Sequence, residues 1–244
     1  MLNTYFEKID ALLTTIQEEE GDHLRMAAQK VAASVQNGGI IQMFGCGHSH
    51  ILTEEVFYRA GGLVPIKPIF VEPLMLHEGA VRSSELERQN GYADEFLVEQ
   101  HFSEEDVVFV LSTSGRNPVP VDVARHAKAS GAFVIGVTSV EYSQSQSSRH
   151  TSGDHLYDAV DLVIDNHAPK GDAMLSHEDV SVPFAPSSTV TGAAILNAIL
   201  ADAIKTIAET GAEPPVFLSG NVDGADDHNK RLIEQYKDRI SLLR

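Results

Sequence analysis

Short, almost wholly apolar runs recur between segments of helical periodicity, and this alternation restricts the fold more than any other property of the chain. They read I-I-Q-M-F at 40–44, V-V-F-V-L at 107–111, A-F-V-I-G-V-T at 132–138 and D-L-V-I-D at 161–165. Each is too short for a typical helix, and none alternates polar with apolar residues as a half-exposed strand would. Such runs predict strands buried on both faces, the condition of a parallel sheet covered by helices on two sides. L-V-P-I-K-P-I-F at 63–70 adds a fifth strand, whose prolines withhold ladder donors and keep it away from the centre. The expected fold class is therefore α/β: a three-layer αβα sandwich around a mainly parallel five-stranded sheet.

The helical segments fit that plan. Apolar residues at three-to-four spacing from Tyr5 to Val31 predict two N-terminal helices meeting near Gly21, closed by Asn37-Gly38-Gly39. Further helices are expected from Ser49 to about Arg59, over 82–101 with a break at Asn90-Gly91, over 119–130 and over 189–208. The last is apolar nearly all round, so it belongs in a core or in a contact between subunits. Residues 166–187 hold little periodicity and read as irregular. Pro214 to Ser219 reads as a strand, followed by a polar loop over 220–229 and a closing helix. One domain over 1–244 accommodates all of this: a helical segment at 1–36, the core at 37–210 and an extension at 211–244.

Composition excludes several classes of function. A formal net charge of −17 leaves no basic face for a nucleic-acid backbone. No transmembrane span and no signal peptide are expected, hence no membrane partner. The single cysteine cannot form an internal disulfide, which suits a cytoplasmic protein. For an anionic small molecule the charge sets a condition: attraction has to be local, from backbone N–H groups and hydroxyls.

Two strand-to-helix junctions meet that condition, M-F-G-C-G-H-S-H at 43–50 and L-S-T-S-G-R-N-P at 111–118. In doubly wound sheets, ligands bind at the carboxyl ends of the strands. Gly45 and Gly47 let the backbone come close, while Ser49, Ser112, Thr113 and Ser114 offer hydroxyls. The helix after each loop offers unpaired N–H groups at its positive end. Other chemistries fit less well. The third glycine of a dinucleotide loop is replaced by His50, and neither G-K-[ST] nor G-x-S-x-G is present. A zinc site of Cys46, His48 and His50, alternating along an extended chain, is the competing reading; the plainest one packs Cys46 and leaves the histidines lining a polar cleft. No metal and no cofactor is expected.

Together the two loops resemble the SIS (sugar isomerase) family of phosphosugar-binding domains. F-G-C-G-H-S is similar to the family's first loop, G-x-G-x-S, and L-S-T-S-G-R-N-P to its second, S-x-S-G-x-[ST]. The next strand, A-F-V-I-G-V-T-S, also matches, so the likeness spans residues 35–210. It implies that Ser49, Ser112, Thr113 and Ser114 hydrogen-bond a sugar phosphate, with Asn117 where the family carries Thr or Ser. H-E-G-A at 77–80 is similar in layout to N-acetylmuramic acid 6-phosphate etherase, which puts a catalytic glutamate on Glu78. That etherase and phosphoheptose isomerase both use a glutamate in the helix after the first loop. Arg59 occupies that position here, and Glu54 and Glu55 lie one turn earlier. The isomerase's C-terminal catalytic histidine has no clear counterpart in 189–208.

Aldose–ketose isomerisation needs a base to move a proton between neighbouring carbons, and a group to polarise the carbonyl and open the ring. Glu78 is the first candidate for the base and Glu55 the second. His48, His50 or His77 would open the ring or shuttle protons near neutral pH. The expected function is a phosphosugar isomerase, a homodimer acting on a phosphorylated sugar or amino sugar. An etherase-like lyase with Glu78 as base and a non-catalytic phosphosugar sensor are the alternatives, and Arg59 speaks for the sensor. The acidic stretch 221–229 lacks calcium-loop spacing and reads as a solvated turn leading into a helix.

Overall fold

A computed structural model describes residues 1–244. The chain opens with α1 (Leu2–Glu19), α2 (Gly21–Gln36), β1 (Ile41–Gly45), α3 (Ser49–Val56) and β2 (Ile66–Pro68). Two short helices, α4 (Ala80–Glu87) and α5 (Asp94–Leu97), precede β3 (Val107–Leu111), α6 (Pro118–Ala129) and β4 (Phe133–Thr138). Then come α7 (Val140–Gln144), α8 (Leu156–Ala159), β5 (Leu162–Asp165), β6 (Leu175–His177) and β7 (Val180–Phe184). The long α9 (Ser188–Glu209) and α10 (Ala225–Tyr236) complete it.

β1 to β5 form one parallel sheet in the order β2-β1-β3-β4-β5, with helices on both sides. Successive residues explain the unbroken apolar runs. Ile41, Met43, Phe109, Leu111, Ile135 and Val137 face a layer built from α2, α3 and α9. Phe44, Val108, Val110 and Val134 face the opposite layer, which includes residues of α5, α6 and α8. Both faces are dry, so a polar residue such as Gln42 is admitted only with hydrogen-bond partners at a strand end. α9 has the length and apolar character of a membrane span, and its buried residues, among them Ile195, Leu196, Ile199 and Ala203, belong to the first layer.

Proline chemistry places β2 as the sequence requires: it is a three-residue edge strand. Three segments differ from expectation. α3 stops at Val56, because Phe57 is extended and Tyr58 takes φ +46, so Arg59 lies beyond the helix. Residues 166–187 include an antiparallel hairpin, β6–β7, whose residues are mostly exposed; V-S-V-P-F alternates over only five residues, and of the hairpin only Leu175 is buried, with Phe184 packed beside it. The strand at 214–219 shrinks to a single bridge between Leu63 and Val216. Pro214 and Pro215 cannot donate to a ladder, and three bonds remain: the Pro215 carbonyl accepts from Val64, the Phe217 N–H donates to Gly62 and the Phe217 carbonyl accepts from Gly61.

At the amino ends of β1 and β3 a polar cluster gathers around the buried Asp106, with the Ser103 hydroxyl left unpartnered. Asp106 accepts from the Ile40 N–H (2.9 Å), Gln42 Nε2 (2.9 Å), the Ser103 N–H (3.1 Å) and Arg239 Nη2 (2.9 Å). Gln42 Oε1 in turn accepts from Lys67 Nζ at 3.1 Å. Burial holds the Lys67 ammonium below its usual range, and Asp106 works against that.

Candidate functional site

β1 is flanked by β2 on one side and β3 on the other, so the chain reverses its direction of advance across the sheet between β1 and β3. A crevice opens outside the carboxyl ends of the strands at such a point. Gly45 pairs with Leu111 in register, so the two glycine–serine loops leave the sheet side by side.

The first loop depends on its glycines. A Cβ on Gly45 would stand 2.7 Å from the Ser49 carbonyl group and 3.0 Å from the His50 nitrogen. Only glycine lets the first turn of α3 close over the strand end. Gly47 takes φ +55, and its N–H donates to the Leu74 carbonyl at 3.1 Å, joining the loop to the segment after β2. Ser49 begins α3 half-buried, and its hydroxyl has no partner within the protein. His50 is buried: Nδ1–H donates to the Gly47 carbonyl, and Nε2 lies 3.4 Å from Glu54. Cys46 is packed in the apolar layer while His48 stands at the surface, so the two do not share a face. Burial, with Glu87 nearby, pushes the Cys46 thiol well above its ordinary value.

The second loop is richer in donors. Gly115 takes φ +59, and its N–H turns back to the Ser112 carbonyl at 3.0 Å. A Cβ there would meet Thr138 Oγ1 at 2.7 Å and Ser143 Oγ at 2.8 Å. Around this left-handed residue, the N–H groups of Thr113, Ser114, Arg116 and Asn117 have no acceptor within the protein. Consecutive amides turned outward in this way form an anion-binding nest. The hydroxyls of Ser112 and Ser114 are likewise unpartnered, whereas Thr113 Oγ1 accepts from Asn166 Nδ2 at 3.3 Å. α6 itself contributes less than a helix start usually does, because Pro118 and Pro120 in its first turn have no N–H. The donors are those of the loop. Asn117 Oδ1, rather than capping α6, accepts from Arg149 Nη1 at 2.8 Å.

The acid–base candidates fall into two groups. His77 and Glu78 share a single turn after β2, with Nε2 and Oε1 3.6 Å apart, and the His77 ring lies 6.3 Å from that of His50. His50, Glu54, His77 and Glu78 are thereby gathered on one side of the first loop. Glu55 faces elsewhere: it is held by the Arg59 guanidinium and lies 3.5 Å from Asn197 Nδ2 of α9.

Sequence reasoning missed Glu87, the last residue of α4. Burial pushes its carboxyl above the usual range, while the Asn117 amide, Arg88 and Arg149 draw it back. No local signal marks it: tertiary packing alone brings it beside Asn117. Arg149 was missed for the same reason. Chemically, the two loops offer hydrogen-bond donors without acceptors in the protein, with carboxyl groups on both sides of them.

A family model described as SIS domain matches residues 4–139, more than half of the chain. The UPF0309 protein of Halalkalibacterium halodurans is 69% identical over 243 residues, covering 100% of this chain and 97% of that protein. Among solved structures, a phosphoheptose isomerase from Francisella tularensis superposes with a TM-score of 0.53 at 14% identity, over 84% of this chain and 96% of that one. The sugar isomerase domain of an RpiR transcription factor from Sphaerobacter thermophilus also gives 0.53, at 12% identity, over 86% and 92%. Loops, strand order and these likenesses agree: the chain belongs to the SIS domain family and, within it, to the UPF0309 proteins.

Proposed function

We propose that the chain binds a phosphorylated sugar or amino sugar and interconverts its aldose and ketose forms, as a cytoplasmic homodimer. One observation carries the binding half. The hydroxyls of Ser49, Ser112 and Ser114 and four loop N–H groups stand on the two loops that leave the β1/β3 switch point side by side, and none has a partner within the protein. A phosphate dianion satisfies several of them at once. The phosphoheptose isomerase fold supports the isomerase half.

In that reading the phosphate sits in the 112–117 nest, with Ser49 closing it from the β1 side, since the Gly47 N–H is spent on the Leu74 carbonyl. The sugar then extends towards the turn at 76–78. Glu78 takes the proton from one carbon and returns it to the next, and His77 serves the carbonyl oxygen. His48 stands at the mouth. Glu55 is the weaker candidate, since its carboxylate is engaged by Arg59. The same engagement favours a second reading, a phosphosugar sensor without catalysis, and elimination by Glu78 in the manner of an etherase is a third. For the dimer, the support is an apolar groove of about 500 Å³ between α1, α2 and α9, lined by Leu13, Ile16, Leu24, Ala194, Ile195 and Ala198.

Incubation with hexose, heptose and amino-sugar phosphates in deuterated water tests the reaction. Deuterium at C1 or C2 supports the isomerase; binding without exchange leaves the sensor.

A further inference from the structure

Arg88 at the end of α4, Arg116 in the second loop and Arg149 in the 145–155 turn lie on three segments that hydrogen bonds join beside the second loop, in a chain whose net charge is −17. Their backbones are locked to one another. The Arg149 N–H donates to the Arg116 carbonyl at 2.8 Å. Asn90, two residues after Arg88, donates from Nδ2 to the Arg149 carbonyl at 3.0 Å and accepts the Thr151 N–H at 2.9 Å. The following turn is pinned as well: His150 Nε2–H donates to Asp122 Oδ1 at 2.9 Å, and Arg125 holds Asp154. Arg149 is therefore placed before any ligand arrives, which lowers the entropic cost of using it.

The three guanidiniums lack carboxylate partners. Ion pairs engage Arg25, Arg59, Arg125, Arg231, Arg239 and Arg244. The arginines left without one lie on α4, at its end, or on these two loops. Arg116 bonds only to the Ser147 carbonyl (3.0 Å) and Gln146 Oε1 (3.3 Å), and Arg149 only to Asn117. Burial and then the other two arginines hold the Arg149 guanidinium below its usual range. Glu87 is the nearby anion, and burial works against its charge. Like charges crowded in this way destabilise one another until an anion joins them.

We propose that Arg88, Arg116 and Arg149 form a second anion subsite beside the phosphate cradle, so that the sugar phosphate bound here carries another anionic group, a carboxylate or a second phosphate. This rests on the cradle assigned under the proposed function. Planar guanidiniums suit both groups, because they donate in pairs to two oxygens.

Calorimetric titration at fixed ionic strength, with two pairs of probes, tests it: glucose 6-phosphate against 6-phosphogluconate, and fructose 6-phosphate against fructose 1,6-bisphosphate. The doubly anionic member of at least one pair is expected to bind about tenfold tighter or more, as charge-assisted bidentate contacts imply; the pair showing it tells carboxylate from phosphate. Arg116→Gln with Arg149→Gln should erase that preference, weakening the doubly anionic member more than the monophosphate. Arg88→Gln, which removes no hydrogen bond, should reduce the preference without a folding defect. Ser112→Ala with Ser114→Ala should weaken both members of each pair alike. No preference in the wild type, or equal loss for both members in the arginine variants, would overturn the subsite. Serine variants that bind as before while the arginine dependence persists would instead overturn the cradle and leave the subsite supported.

Discussion

The two ends of one sheet treat polar groups in opposite ways. At the amino ends of β1 and β3, Asp106 gathers four donors and Gln42 bridges to Lys67. The carboxylate, amide and ammonium groups there are all engaged, and the Ser103 hydroxyl is the member of the cluster left without a partner. At the carboxyl ends of the same strands, three serine hydroxyls and four loop N–H groups lack partners in the protein, and the Arg116 and Arg149 guanidiniums bond only to neutral acceptors. Both clusters are held by well-packed elements, so the difference is not one of order. Satisfied buried groups serve the fold, and unsatisfied ones beside a crevice are held ready for something else.

Substitutions should separate the two ends, and the largest effect on stability is expected at the closed one. Asp106→Ala strands the buried Ile40 N–H, leaves Gln42 Nε2 only the His101 carbonyl and removes the anchor of Arg239, so denaturant unfolding should show a loss of about 3 kcal/mol or more. Sugar-phosphate affinity of the folded fraction should be unchanged.

Gly45→Ala comes next, because it couples the ends. The added methyl cannot share space with the Ser49 carbonyl, so α3 must shift, at about 2 kcal/mol. Here binding should fail together with stability, since the displaced turn carries Ser49. Binding that survives Gly45→Ala would show that the first loop takes no part.

Ser112→Ala with Ser114→Ala inverts the pattern. These hydroxyls support nothing in the protein, so stability should change by less than about 1 kcal/mol. Affinity for a sugar phosphate should nonetheless drop about tenfold or more, as expected for lost hydrogen bonds to a charged group. A large drop in stability without a binding defect would place these serines with Asp106.

The smallest effect is one of pH. Burial raises the Glu87 carboxyl in the folded state, so the folded protein holds that proton more tightly than the unfolded chain. Its contribution to stability is full below the ordinary carboxylate value and lost as pH rises through the raised one. Glu87→Gln should flatten that part of the stability–pH curve, read by thermal unfolding across the acidic range. An unchanged curve would show that Glu87 ionises as freely folded as unfolded.

Much of this architecture was legible because burial on both faces leaves a plain record. The runs at 40–44, 107–111 and 132–138 could be little else, and glycine and serine at two strand-to-helix junctions marked both loops. The β6–β7 hairpin left no such record, since its residues face solvent. The end of α3 was misplaced because Tyr58 adopts a positive φ that no glycine announces. Glu87, Arg88 and Arg149 were invisible for a different reason. Each is an ordinary surface-type residue in its own segment, and only packing of α4 and the 145–155 turn around Asn117 gives it a role.

The most direct measurement is a calorimetric titration of glucosamine 6-phosphate, and of glucosamine alone, into the wild type and into a variant combining Ser49→Ala, Ser112→Ala and Ser114→Ala. The wild type should bind the phosphorylated sugar and not the free one, and the triple variant should lose that binding while unfolding at the same temperature. Equal binding of both sugars, or a triple variant that keeps the wild-type affinity, would contradict the claim that these unpartnered groups form a phosphosugar site.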